Sequence, residues 1–156
     1  MAAFLSVVRD IALLVLRIVA GIALVSHGWH RWQGTGLDAQ IERLHEAAVP
    51  SAEALVYLSV GFELIGGVLL IFGLATPLIG LGMVVLNVTV ILTTRAEAGY
   101  RLPVGGWEYN AAQAAMGLIL LCFGSGRAGV DNLFLRGSSQ EPVLIDDDRR
   151  PAPVGE

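Results

Sequence analysis

ALVYLSVGFELIGGVLLIFGL, residues 54–74, is the stretch whose reading decides the fold. Its only charge is Glu63, near the middle. About 20 residues at ~1.5 Å rise span the ~30 Å hydrocarbon core of a bilayer, so the stretch reads as a transmembrane helix. Immediately after it, Ala75-Thr76-Pro77 offers a cap residue and a helix-starting proline, which predicts a tight antiparallel turn with Thr76 as cap. A second uncharged run follows from Pro77 to Leu92.

Outward from this hairpin the pattern repeats. Ile11–Ser26 is apolar apart from Arg17, and Tyr109–Phe123 is apolar apart from Asn110 and Gln113. No convincing cleavage site follows the first run and Arg17 interrupts it, so it reads as a retained helix rather than a signal peptide. The reading is an all-α membrane protein, a four-helix transmembrane bundle with spans at about 8–27, 53–74, 77–94 and 108–124. Residues 1–136 form this domain. Between the first and second spans, Leu37, Ile41, Leu44 and Ala48 recur at helical spacing and predict a short amphipathic helix at the interface. Residues 137–156 carry serine, proline and an aspartate block without apolar period, and are expected to be disordered or partner-bound.

Composition agrees. Apolar residues make up 54% of the chain and charged ones only 15%, against roughly a quarter in soluble domains. A net charge of −4 excludes a nucleic-acid footprint. Cys122 is the sole cysteine, which excludes a disulfide framework or CxxC motif; lying in an apolar run, it is expected to be buried and inert. With four spans both termini lie on one side. Arginines at 9, 127 and 136 face those at 31, 43, 95 and 101 without a decisive bias, and the termini are assigned to the cytoplasm.

Ionisable groups inside a span cost at least ~2.5 kcal/mol at the centre, so each needs a partner or a task. An Arg17–Glu63 pair facing the interior is the first expectation. Glu63, Gly66, Gly67, Leu70 and Gly73 share one helical face, as do Gly80, Met83 and Asn87, and Asn110, Gln113 and Gly117. Small and polar stripes of this kind either glue helices together or line a pocket. At the end of the first span, Ser26-His27-Gly28-Trp29-His30-Arg31-Trp32 places two histidines on one face within an aromatic belt. Two histidines are too few to hold a metal, and none is expected. Gly106-Trp107-Glu108-Tyr109 forms a second belt on the same side, with Glu108 expected near His27 and His30.

Three segments resemble the DoxX family of small membrane proteins. They are Arg17 through His27-Gly28; Glu63 through the Gly66-Gly67 pair to Gly73-Leu-Ala-Thr; and Gly106-Trp107-Glu108-Tyr109 leading to Gly124-Ser-Gly126 and Asp131. The resemblance implies a four-helix bundle in the bacterial plasma membrane, with Arg17, His27, Glu63 and Glu108 as its characteristic polar positions. It also implies kinship with the small membrane subunit of thiosulfate:quinone oxidoreductase. Arg31 stands where the family pattern has lysine.

The resulting expectation is an accessory subunit of a redox complex. Arg17, His27, His30, Glu63, Asn87, Glu108 and Gln113 would form a polar intramembrane pocket for a quinone. No haem, flavin or iron–sulfur motif is present in the sequence, so redox chemistry would need a bound cofactor or a partner chain. Expected partners are lipids and another membrane or redox protein, or a second copy of the chain. The alternative readings are a ligand-free assembly subunit and, less favoured without an inverted repeat, a small-solute or lipid transporter.

Overall fold

The structure, a computed structural model, describes residues 1–101, 106–127 and 129–131. The tail at 137–156 lies outside them. Among the described residues the chain is all-helical, with no strand. Helix α1 runs Ala2–Trp29 and continues as a π turn, His30–Thr35, until Gly36 breaks it at φ 79. Helix α2 is Leu37–Glu46. Next comes α3, Ala52–Gly61, joined through a π turn at Phe62–Gly66 to α4, Gly67–Phe72. Helix α5, Thr76–Val90, also ends in a π turn, Ile91–Arg95, and α6 is Glu108–Phe123.

Two rods, Ala52–Phe72 and Thr76–Arg95, are long and apolar enough to cross a membrane, with mean hydropathies of 2.2 and 1.9. Only 33% and 28% of their most apolar windows are buried within the bundle. Outward faces carry Leu58, Ile65, Phe72, Leu78 and Leu92, all exposed. A soluble core helix would bury such side chains, whereas an apolar solvent leaves no reason to.

Helix α1 lies antiparallel against the α3–α4 rod at backbone distance. A Cβ on Gly21 would fall 2.7 Å from the Gly67 carbonyl oxygen, and one on Gly28 would fall 2.9 Å from the Glu63 Cβ. Helices α5 and α6 approach as closely where Gly80 meets Gly117. Without a hydrophobic force between helices in lipid, such dispersion contact is what holds them. Ala20, Leu24, Leu70, Ile79, Met83 and Leu120 fill the centre.

The hairpin turn departs from expectation at its cap. Gly73 ends α4 in the left-handed region at φ 72, but Thr76 Oγ1 makes no hydrogen bond among the described residues. Asp131, beyond α6, caps α5 instead: its carboxylate accepts from Ala75 N at 2.7 Å and Thr76 N at 3.0 Å. Ala48 likewise falls outside α2, in the turn that follows it. Cys122 is exposed, not buried, because it lies on the outward face of α6 beside Phe123.

The expected Arg17–Glu63 pair does not form. The glycine contacts fix the register so that Gly28 faces Glu63 and Arg17 faces Gly73. Eleven positions separate Arg17 from Gly28, about 16 Å along a helix, beyond a guanidinium's reach. Arg17 is instead buried at the other end of the bundle, where the carboxylate acting on it is that of Asp131.

Candidate functional site

At the end of the bundle away from Arg17 lies an open cavity of about 1110 Å³. Its walls are the end of α1, the ends of α5 and α6 that face it, and Glu63; α2 covers it with Gln40, Arg43 and Leu44. All three π turns contribute to it, through His30 and Arg31, Glu63, and Thr93, Thr94 and Arg95. Single π turns inside helices recur at functional sites because the wider turn re-aims side chains without ending the helix.

Glu63 is 4% exposed and is held by Arg31, whose Nη1 donates to Oε1 at 3.0 Å. Each of its nitrogens is engaged: Nη2 donates to Ser59 Oγ at 2.9 Å and Nε to Gln40 Oε1 at 2.6 Å. Gln40 returns its amide to the carbonyls of Arg31 and Gly36, each at 2.9 Å. The planar fork of arginine suits this arrangement, since it binds three partners in one fixed geometry. Gln40 of α2 thus locks the ion pair in place.

The α5 and α6 side adds neutral hydrogen bonds beside Arg95. Asn87 Nδ2 donates to the Met83 carbonyl at 2.8 Å, which turns Oδ1 toward Asn110, whose Nδ2 donates to it at 2.9 Å. Gln113 Nε2 donates to Tyr109 Oη at 2.7 Å, and the Tyr109 ring stacks on His27 with centroids 5.3 Å apart. Two oxygens of residues around the cavity, Glu63 Oε2 and Gln113 Oε1, are buried without a hydrogen-bond partner among the described residues.

Of the expected site residues, His27, His30, Glu63, Asn87 and Gln113 meet around this cavity. Arg17 and Glu108 do not line it. Glu108 is exposed because successive helical residues point about 100° apart, and it is Tyr109 that turns inward onto His27. Arg31, Gln40, Tyr109 and Asn110 belong to the site and were not among the expected ligands. One signal for Arg31 was available: Leu13, Arg17, Ala20, Leu24 and Gly28 form the buried face of α1, and Arg31 extends it by one step.

The DoxX family model matches residues 12–96, which include both ion-pair partners, the α2 cover and the α3–α4 rod. The chain belongs to the DoxX family. A Bacillus subtilis strain 168 protein named "Putative oxidoreductase CatD" is 30% identical over 134 residues, covering 86% of this chain and 95% of its own length. An uncharacterised protein of Haemophilus influenzae is 26% identical over 125 residues, covering 79% and 83% of the two chains. No solved structure matches. The DoxX match ends at residue 96, so the α6 wall of the cavity, with Tyr109, Asn110 and Gln113, lies beyond it.

Proposed function

We propose that this DoxX protein is a four-span subunit of the bacterial plasma membrane that holds a quinone-type head group in its cavity and serves a redox partner. The observation that carries the reading is a large cavity with the Arg31–Glu63 ion pair on its wall, Glu63 buried and Arg31 partly so. A charged pair exceeds what helix packing in lipid requires, where small residues and neutral hydrogen bonds suffice. The volume is at or above the upper end of small-molecule sites, roughly 300–1000 Å³, so a substituted ring fits with room for its tail. The name of the Bacillus subtilis relative supports oxidoreductase association.

In this reading α1, the α3–α4 rod, α5 and α6 each cross the membrane, and both termini are cytoplasmic. The stacked His27–Tyr109 pair forms an aromatic wall for the ring, and Gln113 and Glu63 contact its oxygens. A bound quinone couple supplies the electron chemistry. The chain's own residues orient the head group and exclude bulk water, and electrons enter or leave through a partner protein.

The test is gentle purification from native membranes, with mass spectrometry of co-purifying proteins and extracted lipids. A stoichiometric quinone that is lost in a His27→Ala variant supports the reading. A large complex containing no small ligand would replace it with a purely structural subunit.

A further inference from the structure

The bundle is built as two halves joined at one end. Helices α1 to α4 form the first half; α5, α6 and the residues that follow as far as 131 form the second. The chain passes from one half to the other once, between Gly73 and Ala75, at the end away from the cavity. Within each half the helices meet at backbone distance, Gly21 against Gly67 in the first and Gly80 against Gly117 in the second.

Between the halves, backbone meets backbone at the joined end. Val130 N donates to the Phe72 carbonyl at 3.4 Å and Asp131 N to that of Gly73 at 3.1 Å. A Cβ on Gly73 would fall 2.8 Å from the Gly129 Cα, and Arg127 Nε stands 3.7 Å from Asp10 Oδ2. Midway, side chains fill the seam: Ala20, Leu24 and Leu70 share a core with Ile79, Met83 and Leu120. At the far end the seam holds the cavity, lined by His27 and Arg31 from the first half and by Asn87, Tyr109 and Gln113 from the second. The hydrogen bonds of Arg31 with Glu63, Ser59 and Gln40 stay inside the first half there. Those joining Asn87 to Asn110 and Gln113 to Tyr109 stay inside the second. The His27–Tyr109 stack crosses the seam.

We infer that the cavity admits its ligand by the two halves parting about the joined end, with the His27–Tyr109 stack as the latch. Closely packed helix pairs resist internal deformation and move as bodies. Hinges are a few residues at element ends that absorb the change in backbone angles, and Gly73 and Ala75 already sit in the left-handed region, at φ 72 and 52. Parting at the cavity end leaves the Arg31–Glu63 pair and the Asn87–Asn110 bond whole. Parting at the other end would break two backbone hydrogen bonds and the Asp10–Arg127 contact. The gate serves whatever molecule the cavity takes, so it stands apart from the quinone reading.

The experiment measures distances between pairs of nitroxide labels by pulsed electron resonance, on the full chain in lipid nanodiscs, with Cys122→Ser removing the native thiol. Labels on cysteines replacing Leu58 and Leu92 report across the seam towards the cavity end, and labels at Val8 and Phe123 report across it at the joined end. A pair at Ile22 and Leu58 reports within the first half; all five positions are exposed. The Leu58–Leu92 pair is expected to show two distances and the other pairs one. His27→Ala should raise the longer-distance population about 2- to 10-fold, the range set by one aromatic pair. A single distance for Leu58–Leu92, or an equal spread for Val8–Phe123, would overturn the gate. Two distances whose proportions ignore His27→Ala would overturn the stack as its latch.

Discussion

Arg31 donates to Glu63 across 3.0 Å, and that bond joins the π turn ending α1 to the π turn between α3 and α4. Both helices therefore carry their irregular backbone to the same point in space. The ion pair stands where the two wider turns meet, with Gln40 and Ser59 completing the guanidinium's partners.

A double-mutant cycle separates this pair from the one that charge alone would suggest. Glu63→Leu in the unaltered background leaves Arg31 without its counter-charge and should lower stability by about 3 kcal/mol. In an Arg31→Met background the same substitution should cost far less. In an Arg17→Met background the cost should stay the same within about 0.5 kcal/mol, as for sites without shared partners. Thermal unfolding in detergent reads all three; coupling to Arg17 instead of Arg31 would contradict the register.

Asn87 and Asn110 behave as a unit. Asn87→Leu removes the acceptor of the Asn110 amide, which is buried, and should cost about 1–3 kcal/mol. Replacing both by leucine removes donor and acceptor together and should recover much of that loss. A double variant as unstable as the sum of the singles would show the two residues to be independent.

Glycine substitutions should divide sharply by position. Gly67→Ala sets a Cβ 2.8 Å from the Gly21 carbonyl oxygen, and forcing the helices apart should cost about 1–3 kcal/mol. Gly61 has open space where its Cβ would stand, so Gly61→Ala should be neutral or stabilising by up to about 1 kcal/mol. Melting temperatures of the two variants, measured side by side, test whether close approach is what holds α1 to the α3–α4 rod.

The helices themselves were legible in the sequence because lipid demands long apolar runs, and Glu63, Asn87 and Gln113 stood out as polar residues inside them. The partner of Glu63 was not legible. Which arginine meets it depends on the register at which Gly21 and Gly28 seat against the second rod, and single-helix periodicity carries no information on that offset. Tyr109 was hidden for a related reason. It neighbours Glu108 in the belt, and only the rotation of α6 decides which of the two faces His27.

Asp131→Ala should free the Ala75 and Thr76 amides and cost about 1–2 kcal/mol, as loss of a helix cap does. Asp131→Asn keeps an acceptor and should cost less. The order of the three melting temperatures checks the assignment, and an unchanged Asp131→Ala variant would show that Thr76 can cap α5 itself.

The carboxylate that finishes the turn between α4 and α5 stands more than fifty residues further along the chain, after α6. As the chain is made, the corner of the central hairpin therefore stays unfinished until α6 and the residues just beyond it have followed. A chain stalled short of residue 131 lacks the clasp on that corner.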